Sequence, residues 1–360
     1  MGCEISKATS KYQTQKGERE VSLAGWPRMS AMFLFFALTG VALLPSGCRR
    51  SAVSLEEVRF AVSARSASAL VFVAMERGLF EVEGIKIVAT RYPTGKQAIM
   101  ALRRGEVDFV TAAEAPAAIQ ACDSDDFRIL AVLCQMDNED RIVARRDSNI
   151  SKPEDLRGKR IGTQEATAVH FFLHLFLTRH LIDEHDTVVE FGDARDLVTS
   201  LAQGRIDAIS VRDPQINQAT TALGTNAVVF SEPGLYRRME VLIGSVKVLR
   251  DRPRAGDGVV RALIAAQEWA HDNPEDAIVA VAKALSASQA DAQSDLREAN
   301  LRVNLSQELL VELEEVAQWA LHSGTARGGA PDFLRIVYPD LLDRIDPDAV
   351  TFTFRKRGQP

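Results

Sequence analysis

Two arginines occupy segments that follow β-rich runs, and their side chains suit the binding of an anion. Arg65 lies in the segment 63–66, and Arg212 directly precedes Asp213. A guanidinium group offers a planar fork of donors that pairs bidentately with the oxygens of a sulfonate, nitrate or carboxylate. The two arginines are therefore candidate ligands of an anion. The alternative is that each pairs with a nearby acid, Arg65 with Glu114 and Arg212 with Asp213.

Acidic and hydroxyl side chains accompany these arginines. Glu114 and Asp213 occupy corresponding positions in two similar stretches of the chain, and they can accept hydrogen bonds from an amine or an aminopyrimidine. Alternatively, they form salt bridges between the two stretches. Short hydroxyl side chains also stand at loop positions, where they can line a pocket or cap helices. These hydroxyl residues are Ser63, Ser66, Thr111, Thr163 and Thr167.

Histidines are concentrated between residues 170 and 185, where four of the six occur. His170 and His174 are four residues apart and share one face of a predicted helix, a spacing that metal ligands often have. The glutamate of a His-Glu-x-x-His motif is absent, and the intervening residues 171–173 are typical of a core. We therefore predict no metal site, and His170 alone is a candidate for a pocket.

Motifs of common enzyme and cofactor sites are missing from the chain. There is no Gly-x-Gly-x-x-Gly segment, no phosphate-binding Gly-Lys-Ser/Thr loop and no Gly-x-Ser-x-Gly elbow. The cysteines at 3, 48, 122 and 134 show no Cys-x-x-Cys or zinc-binding spacing. Cys122 and Cys134 are predicted to form either a disulfide or two buried thiols. The sequence thus predicts no cofactor and gives no sign of catalysis.

Short β-rich runs alternate with helical periods after residue 51, which predicts an α/β fold with parallel strands and covering helices. Strands are predicted at 58–62, 85–89, 107–111, 159–162 and 206–211. Helices are predicted to end near 77 and 176 and to cover 96–104 and 196–203.

The pattern occurs twice at an offset of 99 residues. The matched pairs are Leu102 with Leu201, Gly105 with Gly204, Asp108 with Asp207, and Glu114 with Asp213. The repeat indicates two similar α/β lobes, although unrelated βαβ units share the same helix-ending glycines and buried strands.

Two lobes of this kind imply a cleft between them. Ligands of open parallel sheets bind beyond the carboxyl ends of the strands. The loops 63–66, 111–116, 163–167 and 212–214 are therefore expected to line the cleft. Two of them, near Ser66 and Thr167, open onto helices, whose free N–H groups suit an anionic or carbonyl-bearing ligand.

The N-terminal region has the composition of an export signal. Its apolar stretch, 31–44, is fourteen residues long. Such a helix rises about 21 Å, short of the roughly 30 Å needed to span a bilayer. A mildly basic segment precedes it and small residues follow, as in secretory signals. The ending Leu44-Pro45-Ser46-Gly47-Cys48 resembles a bacterial lipobox, in which Cys48 is acylated, although Pro45 replaces the usual leucine. The alternatives are an uncleaved anchor or plain export, and Met29 is an alternative start.

Composition excludes several classes of protein. The 360 residues are 46% hydrophobic and 26% charged, with a net charge of −6 and no basic run longer than 355–357. A nucleic-acid-binding protein is expected to carry a basic face, so that class is disfavoured. Aromatic residues make up only 6%, which argues against a stacking platform for bases or sugars. The length favours two domains or one large bilobal domain.

The segments 153–162 (Pro-Glu-Asp-Leu-Arg-Gly-Lys-Arg-Ile-Gly) and 201–207 resemble a known family, and 228–236 is a weaker match. Over residues 57–285 the chain is similar to the substrate-binding proteins of ABC transporters for nitrate, alkanesulfonates, taurine and the thiamine pyrimidine precursor. This resemblance implies a bilobal periplasmic-binding-protein-like fold of type II. Its two α/β lobes would be joined by a two-segment hinge, with crossings at 141–146 and 240–247.

The resemblance also implies the order of domains. A signal or lipoprotein leader would cover 1–47, the first part of lobe 1 would cover 48–145, and lobe 2 would cover 146–240. The return to lobe 1 with the C-terminal helices would cover 241–350, followed by a tail at 351–360. Two departures from the family stand out: Arg212 replaces a frequent aromatic residue, and His180-Leu181 replaces a helix-ending glycine and leucine.

By resemblance, the protein is an extracytoplasmic receptor in the periplasm or on the cell surface, anchored by a lipid on Cys48. It would capture a small nitrate-, sulfonate- or carboxylate-like anion by lobe closure and deliver it to an ABC permease and its ATPase. One alternative is a binding protein or enzyme that acts on a pyrimidine or aromatic acid. Another is a receptor that signals to a partner protein. A related pyrimidine synthase carries a cysteine-rich run, which is absent around Cys122 and Cys134.

Overall fold

The computed structural model describes residues 54–353. The predicted leader 1–47, the predicted lipidation site Cys48 and the tail beyond 353 lie outside the described residues. Within that range, no helix combines the length and apolarity needed to cross a bilayer.

The described part of the chain forms eleven strands. They are β1 (Glu56–Ala61), β2 (Ile85–Thr90), β3 (Phe109–Ala113), β4 (Phe127–Asp137), β5 (Asp140–Arg145), β6 (Arg160–Thr163), β7 (Val188–Phe191), β8 (Ala208–Arg212), β9 (Ala227–Phe230), β10 (Arg237–Ser245) and β11 (Ala299–Asn304).

Fourteen α-helices accompany these strands between residues 54 and 353. They are α1 (Ala69–Glu76), α2 (Leu79–Val82), α3 (Gly95–Arg103), α4 (Glu114–Ala121), α5 (Ala168–Arg179), α6 (Ala194–Ala202), α7 (Gln215–Leu223), α8 (Val246–Asp251), α9 (Pro253–Asp272), α10 (Pro274–Leu285), α11 (Gln289–Arg297), α12 (Gln307–His322), α13 (Phe333–Ile336) and α14 (Pro339–Ile345).

Two sheets with the same strand arrangement form the two predicted lobes. The first has the order β11-β4-β10-β3-β1-β2 and the second β7-β6-β8-β5-β9. In each sheet three strands are parallel (β1, β2 and β3; β6, β7 and β8), and the next strand, β10 or β5, is antiparallel. The predicted α/β repeat is therefore confirmed as a repeat of topology. The additional strand β11 extends the first sheet beside β4.

The two halves also share their internal bonds. The Asp108 carboxylate accepts hydrogen bonds from the backbone N–H of Arg59 at 2.9 Å and from its Nη2 at 2.6 Å. In the second half, Asp207 accepts the same two bonds from Arg160, at 2.9 and 3.0 Å. Gly105 and Gly204 each lie three positions before one of these aspartates. Both have φ +72°, a left-handed conformation that glycine adopts without steric cost. Each aspartate thus ties a helix-ending turn to a neighbouring parallel strand, β1 in the first lobe and β6 in the second.

The chain passes between the sheets twice, earlier than the sequence predicted. The first crossing is residues 138–139, between β4 and β5, and the second crossing is residues 231–236, between β9 and β10. The expected crossings at 141–146 and 240–247 are wrong because β5 already belongs to the second sheet and β10 to the first. The lobe boundaries near 145 and 240 move back accordingly. The sequence does mark both crossings, the first by the polar run 137–141 and the second by the turn-forming segment 231–234 (Ser-Glu-Pro-Gly).

The departure at His180-Leu181 has a local consequence. Helix α5 ends at Arg179, and Leu181 takes the left-handed conformation at φ +55° that glycine usually fills. Leucine adopts this conformation only with strain. The helix therefore still ends where a glycine would end it.

Candidate functional site

A cavity of about 730 Å³ lies between the lobes, and residues from both line it. All four loops expected at the cleft contribute to its wall. Further lining residues come from the starts of α3 and α6 and from β10. Six of the ten candidate site residues lie on the cavity. They are Ser63, Arg65, Thr111, Thr167, Arg212 and Asp213.

Arg212 is the last residue of β8 and faces the cavity. Among the described residues, no carboxylate lies within salt-bridge distance of its guanidinium group. The alternative partner Asp213 instead accepts a hydrogen bond at 3.2 Å from the backbone N–H of Asn217, at the start of α7. Burial, together with the charge of Arg238, lowers the pKa of Arg212 to about 10. The cavity wall therefore contains a partly desolvated cation that is not paired directly with a protein carboxylate.

Arg65 reaches the cavity from the first lobe. Its guanidinium group contacts the carboxylate of Glu139 in the first crossing, and its Nε has no hydrogen-bond partner. The alternative pairing with Glu114 is absent. Burial lowers the pKa of Arg65 well below its ordinary value, and the charges of Arg212 and Arg238 act in the same direction. Cations from the two lobes are thus held close enough to repel each other.

Arg238 completes this group and was not predicted from the sequence. It lies on β10 directly after the second crossing and is almost fully buried. Its Nη1 lies 3.0 Å from Glu139 Oε2, and its Nη2 lies 2.5 and 2.7 Å from the two carboxylate oxygens of Asp140. We call Arg65, Arg212 and Arg238 the arginine triad. Because its acidic partners lie at or next to the first crossing, the cavity is connected to the hinge by ion pairs.

Glu240, also on β10, is a second lining residue that the sequence did not reveal. It is 2% exposed, and its Oε1 accepts a hydrogen bond from Ser68 Oγ at 3.2 Å. Ser68 Oγ lies 2.9 Å from Thr111 Oγ1, which accepts the backbone N–H of Ser63 at 2.9 Å. Burial raises the pKa of Glu240 above its ordinary value, although Arg65 and Arg238 oppose this shift.

Four helices begin at the cavity. Their first residues, Gly95 of α3, Ala168 of α5, Ala194 of α6 and Gln215 of α7, all line it. The first turn of a helix has free N–H groups and a partial positive charge, which favour an anion. Of the two helix starts expected at the cleft, the one after Thr167 lines the cavity and the one near Ser66 does not. The starts of α3, α6 and α7 were not predicted there, although the offset of 99 aligns the α3 cap Thr94 with the α6 cap Asp193.

A salt bridge also joins the lobes beside the cavity. Lys96, in the first turn of α3, places its Nζ 3.2 Å from Glu165 Oε2 in the loop before α5. The two lobes are therefore close together in this structure. One small molecule can contact both walls of the cavity at once.

The remaining four candidate residues do not line the cavity. Ser66 donates a hydrogen bond at 2.5 Å to Asp295 of α11, and Thr163 is fully buried without a partner for its hydroxyl. Successive strand residues point to opposite faces, so Thr163 faces the core while the next residue, Gln164, faces the cavity. Hydroxyl chemistry at a loop was not sufficient to predict the direction of these side chains.

His170 is likewise buried away from the cavity. Its ring packs against Trp319 of α12 at 4.8 Å and Phe191 at 5.0 Å, and its Nε2 lies 3.5 Å from Glu184. His174 Nδ1 lies 3.5 Å from the same carboxylate. Burial acts to raise the pKa of Glu184, but the two histidines outweigh it and lower this pKa to about 2.

In the described part of the chain, no group of three or more His, Cys, Asp or Glu residues could hold a metal ion.

Glu114 is fully buried behind the cavity rather than in it. Its carboxylate accepts hydrogen bonds from the Tyr236 hydroxyl and, at 2.8 Å, from the Met239 backbone N–H. Burial raises its pKa to about 7. Burial and the nearby Glu114 raise the pKa of Glu312, on α12, to about 8. Glu114 therefore binds the second crossing to the first lobe.

These raised pKa values predict a loss of stability at alkaline pH. Folding raises the pKa of Glu312 from 4.5 to about 8. The folded protein thus holds more protons than the unfolded chain in this interval, and stability decreases as pH rises through it. We expect Glu312→Gln to raise the melting temperature at pH 9 by about 2–4 °C for each kcal/mol recovered, with little change at pH 4. The exposed Glu314→Gln on the same helix is the control. An equal gain in both variants would contradict the assignment.

The two cysteines of the fold are thiols rather than a disulfide. Cys122 and Cys134 are both free and buried. Burial raises the pKa of Cys122 to about 11 and that of Cys134 to about 12, so neither is a thiolate near neutral pH. Neither residue lines the cavity.

Known proteins share this architecture. The taurine-binding periplasmic protein of Escherichia coli is 24% identical over 248 residues, which cover 68% of this chain and 66% of that protein. The alkanesulfonate-binding protein SsuA of Xanthomonas axonopodis pv. citri, solved with bound MOPS, superposes with a TM-score of 0.66 at 19% identity, covering 79% of this chain and 98% of that one. The desulfurization enzyme DSZB superposes with a TM-score of 0.58 at 17% identity, covering 80% and 98%. These superpositions confirm the bilobal periplasmic-binding-protein fold, which both binding proteins and an enzyme use.

The family follows from a longer sequence match. The family model described as NMT1/THI5 like matches residues 66–277. The match begins in the first lobe, includes both crossings and the whole second sheet, and continues into α10. Since the match covers more than half of the chain, this protein belongs to the NMT1/THI5-like family.

Proposed function

We propose that this protein is an extracytoplasmic receptor that captures a small anionic solute by lobe closure and delivers it to an ABC permease and its ATPase. The observation that carries the proposal is Arg212, a desolvated guanidinium group on the cavity wall without a protein carboxylate beside it. A charge in this position is costly unless a partner neutralises it. An anionic solute is such a partner.

The distribution of donors supports binding between the lobes. Arg65 comes from the first lobe, Arg212 comes from the second, and helices of both lobes begin at the cavity. A solute that contacts both walls stabilises the closed arrangement, because only that arrangement supplies all of its donors. The two crossings provide the hinge for this motion.

The ligand class follows from chemistry and from the relatives together. Sulfonate, nitrate and carboxylate groups all match the arginine fork. Two of the similar proteins bind taurine and alkanesulfonates, which makes sulfonates the first candidates. A cavity of about 730 Å³ has room for an organic body on the anionic group. The location outside the cytoplasm and the lipid on Cys48 are parts of the proposal that depend on residues 1–48.

The proposal is tested by thermal unfolding of the purified protein with nitrate, bicarbonate, ethanesulfonate, taurine, benzoate and aminopyrimidines. A ligand at a hundredfold excess over its Kd stabilises the native state by about 2.7 kcal/mol. We expect one or more anions to raise the melting temperature and uncharged pyrimidines to have no effect. Stabilisation by pyrimidines alone would contradict the proposal.

An enzyme on the same scaffold is the second candidate, because DSZB shares the fold. Among the described residues that line the cavity there is no cysteine or histidine, and Tyr92 is the one aromatic residue. This lining lacks a ready nucleophile and a stacking surface, which favours binding over turnover of an aromatic acid. Product formation from a stabilising ligand by the purified protein would favour the enzyme instead.

A further inference from the structure

We infer that the cavity takes up its anion together with one proton, held on the carboxyl group of Glu240, which then donates a hydrogen bond to the anion. This inference rests on the proposed function, because it concerns the same cavity. It explains why an acidic side chain, Glu240, lines a cavity that is proposed to bind an anion.

The first argument is position. Glu240 lines the cavity and is 2% exposed, so an ionised carboxylate there would stand beside a bound anion with almost no water to screen it. Like charges in contact within a low-dielectric site are strongly unfavourable. A neutral carboxyl group instead offers one O–H donor.

The second argument is the balance of charge. The arginine triad contacts the two carboxylates of the hinge, Glu139 and Asp140, through Arg65 and Arg238. Within this cluster, three positive charges thus face two negative ones when Glu240 is neutral, which leaves one positive charge for one monoanion. The other charged residues of the lining, Asp193, Arg195, Asp196 and Asp213, are exposed to solvent. If Glu240 is ionised, the cluster is already neutral before any ligand enters.

The third argument is the set of groups that face Glu240. Arg65, Arg238 and Arg212 favour its ionised form. Hydrogen bonds from Ser68 and Ser63 act in the same direction. Burial opposes them and outweighs them, so the pKa of Glu240 is raised. Cys134 lies opposite on β4, and its own raised pKa of about 12 keeps it neutral. An entering anion adds a negative charge to this balance and favours the proton further.

The inference predicts a specific pH dependence. Affinity is constant at pH values where Glu240 already carries its proton. Above the pKa of Glu240, each anion must bring a proton, and the Kd rises by up to tenfold per pH unit. The wild-type protein, Glu240→Gln and Glu312→Gln are compared by calorimetric titration with ethanesulfonate and nitrate, which stay ionised from pH 5 to 9.

We expect Glu240→Gln to keep the acid-side affinity of the wild type at every pH, because its amide is neutral and donates a hydrogen bond. Glu312→Gln, which removes a partly buried carboxyl group that does not line the cavity, should keep the wild-type slope. Ser68→Ala serves as a second variant if Glu240→Gln does not fold. Loss of the Ser68 hydroxyl removes a donor to the carboxylate, so the fall in affinity should begin at a higher pH. A wild-type slope in Glu240→Gln, or weaker binding at every pH, would overturn the inference.

A measurement without ligand separates this inference from the proposed function. The infrared spectrum of the wild type minus that of Glu240→Gln, or of Ser68→Ala if that variant is the folded one, is recorded on both sides of neutral pH. We expect the C=O band of a protonated carboxyl group to disappear or shift with the substitution. If no anion binds, the proposed function fails, and this band alone then decides whether Glu240 holds a proton. Absence of the band at every pH down to 5, both with and without a bound anion, would overturn the inference even if anions bind.

Discussion

Replacing Arg212 by glutamine is expected to weaken binding of the best stabilising anion by about 10- to 150-fold, the factor for one hydrogen bond to a charged group worth about 1.5–3 kcal/mol. The guanidinium group is desolvated on the cavity wall and has no carboxylate partner there. Its cost of desolvation is already present in the free protein, so the bound anion gains the full interaction. The Kd from calorimetric titration measures the loss.

A matched control lies in the same lobe. Arg205 is exposed and does not line the cavity, so Arg205→Gln removes the same charge at a distance from the site. We expect at most a small change in its Kd, and this change should diminish with added salt. Equal losses in both variants would show that net charge, rather than contact by Arg212, controls binding.

Replacing Arg238 by methionine is expected to lower the free energy of unfolding by about 3–5 kcal/mol, the typical cost of removing one partner from a buried ion pair. Asp140 is 3% exposed, and Arg238 contacts both of its carboxylate oxygens. Methionine keeps much of the side-chain volume but leaves Asp140 buried without this partner. Chemical denaturation of the free protein measures the effect.

The neighbouring residue provides the control for this experiment. Arg237 pairs with Glu308 at 2.9 Å on the surface, so Arg237→Met is expected to cost about 0–1 kcal/mol. Adding Asp140→Asn to Arg238→Met should recover part of the loss, because the unpaired charge is then removed. Comparable costs for Arg237 and Arg238 would contradict the role assigned to the buried cluster.

Together these two arginines connect recognition with motion. In the proposed function, Arg212 binds the solute, whereas Arg238 pairs with the acids of the first crossing beside the cavity. The carboxylate of Glu139 contacts both Arg238 and Arg65. We therefore propose that an anion bound by Arg65 alters the ion pairs of the first crossing, and thereby the hinge between the lobes.

The repeat was the most informative feature of the sequence. It predicted two similar α/β lobes, and the four loops expected at the cleft do meet around one cavity. These features were predictable because they depend on local rules, such as glycines that end helices and apolar runs that form buried strands. The position of Arg65 and Arg212 at the cavity was predictable in the same way. Arg212 directly follows a predicted strand, and Arg65 lies in the loop after another.

The individual side chains were less predictable than the loops. Glu114, Thr163 and His170 belong to the right segments but face the interior, because neighbouring residues of a strand or helix point in different directions. A shift of one residue separates a cavity residue from a core residue, as Gln164 and Thr163 show.

The sequence by itself determined the class of fold, the two halves and the loops at their junction, since each depends on residues close together in the chain. The tertiary structure decided which charges meet there. Arg238 and Glu240 come from a strand that returns to the first lobe about a hundred residues after the first crossing, and nothing in their local sequence marks them as cavity residues. Their pairing with Glu139, Asp140 and Ser68 exists only because the chain crosses between the lobes twice and brings distant segments into one buried cluster.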